Sequence, residues 1–382
     1  KNVPELRFPG FEGEYSLDIF GNLTTNKSDK FNPQNENASI DIELDCIEQN
    51  TGRLIKIYNS KEFSSQKNKF NPQNVLYGKL RPYLNKYYFT KKSGVCSSEI
   101  WVLKSTKEDK LLNLFLYYFI QTKRYSDVAS KSAGSKMPRA DWGLIENIRV
   151  YFPELCEQQK IGEFFSKLDR QIELEEQKLE LLQQQKKGYM QKIFSQELRF
   201  KDENGNDYPD WEERMIKDVY EITRGLVLSK KLISKKPNDV NKYPVYSSQT
   251  TNNGLMGYYS NYLYKDSITW TTDGANAGSV SYRSGKFYCT NVCGVLINEK
   301  GNSNLCMSEM LNSIAFKHVS KVGNPKLMNN VMAMVKLNFP CIEEQLKIAR
   351  LIEAVEKNII NQERKLDLLK QVKKGLLQKM FI

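Results

Sequence analysis

The stretch FPELCEQQKIGEFFSKLDRQIELEEQKLELLQQQKKGYMQKIF, from Phe152 to Phe194, returns as FPCIEEQLKIARLIEAVEKNIINQERKLDLLKQVKKGLLQKMF, from Phe339 to Phe381. The copies align without a gap at an offset of 187 residues. A repeat of this length makes the chain two similar halves, each a globular block followed by a helix. Pro153 and Pro340 suit a helix start, and the acidic residues after them suit the positive end of the macrodipole. Apolar residues then recur at spacings of three and four. In the first copy they are Ile161, Phe165, Leu168, Ile172, Leu179, Leu182 and Ile193; in the second, Ile348, Ile352, Val355, Ile359, Leu366, Leu369 and Met380. This heptad seam predicts one long helix packed on another. Both copies break it at the same places, Glu175 and Gln362, then Lys186 and Lys373, as residues that set register or face a third helix would.

The second block begins almost at once after the first helix, and a compact block of ~140 residues, with a radius of gyration near ~15 Å, cannot stretch a helix length between its ends. The helices are therefore expected to run antiparallel, with the blocks at opposite ends of a rod. RFPGFEGEYSLDIFGNLT, from Arg7, matches DYPDWEERMIKDVYEIT, from Asp207, at Pro9/Pro209, Phe11/Trp211, Glu12/Glu212 and Asp18/Asp218. The linker after the first helix thus has a counterpart at the start of the chain, a pseudo-circular layout with an approximate two-fold. The absence of a methionine at Lys1 is taken as a sign that a few residues precede it.

The 382 residues carry a formal charge of +12, which favours a polyanionic partner. Seven cysteines at irregular spacing do not read as a disulfide framework, and a reducing cytoplasm fits them best. The apolar run LLNLFLYYFI, from Leu111, is too short to span a bilayer and predicts a buried helix. Recognisable catalytic chemistry is missing. His318 is the one histidine, and no glycine-rich nucleotide cradle occurs. FNPQN, at Phe31 and again at Phe70, lacks the second proline and the aromatic of an adenine-methyltransferase motif and reads as turn chemistry. Cys289, Cys293, Cys306 and His318 could supply four zinc ligands, but the spacing is irregular and buried thiols are the plainer reading.

The first block, NVLYGKLRPYLNKYYFTKKSGVCSSEIWVLKS from Asn74, predicts strand, turn, strand with cations and tyrosines interleaved; KSAGSKMPRADW, from Lys131, predicts a basic loop. Lys79, Arg81, Lys86, Lys131, Ser135, Lys136 and Arg139 are the candidates there for phosphate or base-edge contact. In the second block, SITWTTDGANAGSVSYRSGKFYCTNVCGVLI, from Ser267, predicts strands broken by turns at Asp273-Gly274 and Ser284-Gly285. A polar run from Ser247 to Asn253 offers neutral donors and acceptors, the chemistry that reads adenine in the major groove. The candidates are Arg224, Gln249, Asn252, Asn253, Thr271, Asp273, Asn276, Tyr282, Lys321 and Lys326.

The order and duplication of Phe-Pro, Glu-Gln-x-Lys-Ile and Lys-Lys-Gly, with LRPYLNK from Leu80 and TTDGANAG from Thr271, resemble the specificity subunit of a type I restriction-modification system over essentially the whole chain. The resemblance implies an α+β fold: two mixed α/β target recognition domains at opposite ends of an antiparallel pair of long spacer helices. The divisions are 1–151, first recognition domain; 152–197, first spacer helix; 198–338, linker and second domain; and 339–382, second spacer helix. It implies no catalytic residue in this chain. Two methyltransferase subunits would bring S-adenosylmethionine, and two restriction subunits would bring ATP and Mg. Because the blocks differ, the double-stranded DNA target should be bipartite and asymmetric, its half-sites near one helical turn, ~10 bp, apart. Phe164, Leu181 and Leu351, outside the seam, are candidates for docking the methyltransferase subunits. The rival readings are a coiled-coil adaptor displaying two protein-binding domains and a zinc-dependent nuclease.

Overall fold

The computed structural model describes residues 2–131, 136–248 and 251–382. They form two compact units, Lys1–Lys178 with Glu363–Ile382, and Leu179–Gln362. Two long helices contribute to both units, Leu155–Phe194 of 40 residues and Ile342–Met380 of 39, each roughly 60 Å long. Each has an acidic first turn, Glu157 in one and Glu343 and Glu344 in the other, and a lysine in its last, Lys192 and Lys379, as the macrodipole favours.

Within unit 1 the two helices run antiparallel. Phe165 meets the Phe381 ring, Asp169 pairs with Lys373, and Glu175 pairs with Lys365, so one helix advances as the other recedes. Ile161, Phe165, Leu168, Ile172 and Leu366 are buried along this seam. Within unit 2 the sense is the same: Lys186 pairs with Glu356, and Met190, Ile193, Ile348 and Ile352 share one core with Trp270 and Met307. Each buried aliphatic or aromatic side chain contributes ~1.5–3 kcal/mol. The polar breaks in the heptads now have partners. Lys186 and Lys373 occupy equivalent positions in the repeat, and so do Asp169 and Glu356. The ion pairs Lys186–Glu356 and Lys373–Asp169, both 2.6 Å, are therefore one contact made twice.

The units share a sheet plan. In unit 1 the strands Thr24–Thr25, Ile100–Ser105, Val75–Gly78 and Tyr87–Phe89 lie in that order, all antiparallel. In unit 2 Glu221–Arg224, Cys293–Ile297, Tyr264–Thr271 and Val280–Cys289 lie in the matching order. Unit 2 extends this sheet through Tyr243–Tyr246, which joins Val280–Cys289 in parallel. Unit 1 places its parallel pair, Ile40–Ile42 with Gly94–Cys96, in a separate five-stranded sheet. A two-stranded ribbon feeds each long helix: Ser16–Ile19 with Arg149–Phe152, and Glu212–Met215 with Lys336–Phe339. The apolar run from Leu111 is a buried helix, Asn113–Phe119. The turn expected at Ser284-Gly285 is not there. Val280–Cys289 is one strand, and Gly285, at φ 70°, donates its N–H to the Asp266 carboxylate across an irregularity in the ladder. The glycine accommodates a bulge rather than a chain reversal.

Each unit buries a cation. Lys67 of unit 1 lies 3.1 Å from Asp41, close to Glu43 and over the Phe63 ring. Burial pushes the Asp41 carboxyl up to about 6 against the opposing pull of Lys67. A carboxyl raised in the folded state binds its proton more tightly there, so its contribution falls as pH rises from the ordinary carboxylate range through about 6. The unfolding midpoint of the native chain, measured relative to Asp41→Asn, is expected to rise between pH 7 and pH 5. A difference independent of pH over that range would contradict this.

Candidate nucleic-acid interface

Two segments far apart in sequence meet at equivalent places in both units. In unit 1 the Arg81 N–H donates to the Pro138 carbonyl (2.7 Å) and the Ala140 N–H to the Lys79 carbonyl (2.8 Å), around a bridge between Leu80 and Arg139. In unit 2 the Gly274 N–H donates to the Pro325 carbonyl (3.0 Å) and the Leu327 N–H to the Thr272 carbonyl (2.8 Å), around a bridge between Asp273 and Lys326. The backbone platform is one design used twice. Arg81 answers to Gly274, and both have left-handed backbones, φ 52° and 95°. Arg139 answers to Lys326. The frame is constant and the side chains it displays differ.

The unit 1 platform carries Lys79, Arg81 and Arg139 of the first candidate set, and the unit 2 platform carries Asp273 and Lys326 of the second. Arg81 is exposed and its side chain makes no hydrogen bond or ion pair among the described residues. Arg139 is exposed but held: its Nε and Nη2 donate to the Glu99 carboxylate at 2.9–3.2 Å, and this guanidinium keeps Glu99 below the usual carboxylate range. Lys131, Lys136 and Lys321 are exposed. Lys86 is tied inward, its Nζ donating to the Leu44 carbonyl (2.5 Å). Ser135 and Gln249 lie outside the described residues.

In unit 2, Asn252 and Asn253 are exposed and both left-handed, φ 51°. Asn276 donates to the Ser248 carbonyl (2.8 Å), and Arg224 donates to the Asn291 carbonyl (2.8 Å). Thr271 is 8% exposed at the end of its strand and is not displayed for contact, while Tyr282 is half-buried beside the unit 2 core. Of the docking candidates, Phe164 is half-buried and packs on Phe8 and Phe165, and Leu351 is half-buried against the unit 2 core. Leu181 is exposed, at 54%. Its repeat equivalent, Leu368, was missed in the sequence and is 61% exposed. A search for apolar residues outside the seam at equivalent positions in both copies would have found it.

The cysteines do not converge. Cys289 and Cys293 share one small core, Cys306 belongs to another, and His318 is exposed. Among the described residues no group of His, Cys, Asp or Glu is placed to hold a metal ion. A cleft of about 1230 Å³ in unit 1 lies between its globular part and the long helices. Its three carboxylates are paired, Asp169 with Lys373, Glu173 with Arg170, and Glu176 with Arg53 and Lys370, while Lys91, Lys123 and Lys374 also line it. No helix among the described residues is long and apolar enough to cross a membrane.

The buried part of the repeat is equally regular. Glu157, 1% exposed, accepts from Arg7 (2.9 and 2.7 Å) and from Tyr15 (3.2 Å). Its equivalent Glu344, fully buried, accepts from Arg199 (3.3 and 2.8 Å) and from Trp211 (2.8 Å). Burial pushes the Tyr15 phenol up, so it stays a donor. The neighbouring Gln158 and Gln345 each donate 2.8 Å to the carbonyl of the helix-leading proline, Pro153 or Pro340. The Glu-Gln pair thus ties each helix start to its own unit.

Comparison with known proteins agrees with this duplication. A family model for the type I restriction modification DNA specificity domain matches residues 14–184 and again 208–371. The chain is 36% identical over 225 residues to a type I specificity subunit of Mycoplasma pneumoniae, S.MpnORF615P, covering 56% of this chain and 84% of that one. It is 38% identical over 152 residues to a second from the same organism, S.MpnORF285P, covering 38% of this chain and 48%, about half, of that relative. In fold it is similar to a type I restriction-modification S subunit from M. genitalium, with a TM-score of 0.64 at 14% identity over 100% of this chain and 99% of that one. It is also similar to a structure described for complex assembly and conformational transition of a type I system, with a TM-score of 0.58 at 15% identity over 96% and 97%.

Proposed function

The chain belongs to the type I restriction modification DNA specificity family, and on that premise we propose that it is the subunit that reads the target, one half-site with each unit. The observation that carries this reading is the repeated platform, matched in its backbone hydrogen bonds and different in displayed side chains. Two such readers call for a bipartite, asymmetric sequence in double-stranded DNA. The formal charge of +12 supplies the phosphate attraction that precedes base reading. The chain contributes recognition and no catalysis. Two modification subunits would bind S-adenosylmethionine and methylate adenine; two restriction subunits would bind ATP and Mg and cleave, in the cytoplasm. Exposed Leu181 and Leu368, one contact offered twice, fit docking of two copies of one partner.

The test is a genome-wide map of adenine methylation in cells carrying the chain with its modification subunit, against cells lacking only this chain. A bipartite motif that disappears with the chain is the expected result. Unchanged methylation with an active modification subunit would favour the adaptor reading, which predicts no salt-sensitive binding to duplex DNA.

Arg81 gives a sharper prediction. A left-handed non-glycine residue costs ~1–2 kcal/mol, and the equivalent position in unit 2 is glycine. Arg81→Gly relieves that strain while adding ~0.5–1 kcal/mol of unfolded-state freedom, so stability holds or rises slightly. Affinity for the unit 1 half-site is expected to fall roughly tenfold. Equal affinity in a salt-matched titration would remove Arg81 from the reading surface.

A further inference from the structure

Arg283 lies on the strand Val280–Cys289 and is 8% exposed. Its guanidinium stacks on the Tyr246 ring at 3.8 Å, donates through Nε to the Thr269 hydroxyl (3.1 Å), and donates through Nη1 to the Asn253 carbonyl (2.9 Å). Among the described residues no carboxylate pairs with it. The contrast with unit 1 is direct, since Lys67 is buried against Asp41 and Glu43. Burial lowers the Arg283 pKa, yet a guanidinium stays charged in any folded protein. An unpaired buried charge is expensive, and a packed strand position like this one accepts an aliphatic residue more cheaply.

The bond to Asn253 shows what the charge holds. Asn252 and Asn253 are consecutive left-handed residues, which a free loop does not sustain without support. The Arg283 guanidinium fixes the Asn253 carbonyl, and the Ser281 hydroxyl reaches the Asn253 side-chain oxygen (3.3 Å). The adjacent Asn252 side chain is exposed and makes no hydrogen bond among the described residues. An amide held out on a rigid turn has both the donor and the acceptor that match the edge of adenine.

We propose that Arg283 is a positioning residue for base recognition in unit 2: it locks the Asn252–Asn253 turn so that the Asn252 amide meets one base of that half-site. The inference rests on the DNA-reading function above. Neutral contacts on a pre-set turn discriminate between bases, and the guanidinium beneath adds an attraction toward the nearest phosphate.

The same methylation map tests it, with the native chain, Asn252→Ala and Arg283→Lys each expressed with the modification subunit. Lysine keeps the charge and loses the planar fork. Asn252→Ala is expected to relax one base position of one half-site, by roughly fivefold or more in relative methylation of singly mismatched sites. Arg283→Lys should relax that same position, while the other half-site keeps its preference as an internal control. Thr269→Val, which removes the hydroxyl used by Nε at nearly constant volume, is the second route to the same loosening if the lysine chain misfolds. An Arg283→Lys or Thr269→Val chain that is folded and methylates the native motif unchanged, or an Asn252→Ala chain that does so, overturns the proposal. If the native chain itself yields no bipartite motif, it is the DNA-reading function that has failed.

Discussion

Replacing Glu344 by alanine is expected to lower the thermal unfolding midpoint by roughly 6–20 °C. The carboxylate is fully buried and accepts from both Arg199 and the Trp211 indole. Its removal strands a guanidinium that also donates to the Tyr208 and Pro209 carbonyls (3.2 and 2.7 Å), so the linker loosens with it. Breaking a buried pair from one side costs ~3–5 kcal/mol, and in a domain of this size each kcal/mol moves the midpoint by about 2–4 °C. Glu344→Gln, which keeps one acceptor oxygen, should fall between. Glu157→Ala should act alike on unit 1, where Arg7 and Tyr15 are left without their acceptor. Calorimetry of the three chains decides; a shift under ~2 °C for both alanine variants would mean the arginines find water instead.

The second large effect is on assembly. Leu181 and Leu368 occupy equivalent repeat positions and are exposed, so changing both to glutamate should move stability by no more than ~0.5 kcal/mol. On the proposed function the double variant loses co-purification with the modification subunits, because each glutamate puts an unpaired charge where an apolar side chain would be buried. Either single variant should retain one of the two partners. Full assembly of the double variant would move the docking surface away from the leucines.

The long helices were legible because heptad periodicity survives translation into three dimensions: residues three and four apart share a face whatever else the chain does. Even the polar breaks were visible as breaks, although only the structure pairs Lys186 with Glu356 and Lys373 with Asp169. The interface was harder to see. Lys79–Arg81 and Pro138–Arg139 lie nearly sixty residues apart, and no local pattern announces that their backbones join. In SVSYRSGKFY the sequence offered Tyr282 as a contact and passed over Arg283, because nothing local shows that a cation on this strand is buried. The bulge at Gly285 looked like a turn because glycine serves both. Counting heptads placed Phe164 and Leu351 off the seam without showing what the rest of the chain lays over them, Phe8 in one case and the unit 2 core in the other.

One detail of the linkers reaches past the single molecule. The Leu6 N–H donates to the Lys379 carbonyl (2.9 Å) as the Leu198 N–H donates to the Lys192 carbonyl (3.0 Å), each beside the same residue of its helix copy. The sequences Glu5–Phe8 and Glu197–Phe200 are identical. Genes that exchange segments at such matched borders would inherit a new reader together with an unaltered joint, since the arginine, the buried glutamate and the seam ion pair come from the repeated segments. Variation in target can then arise by recombination in one event, with little selection needed afterwards to repair the fold.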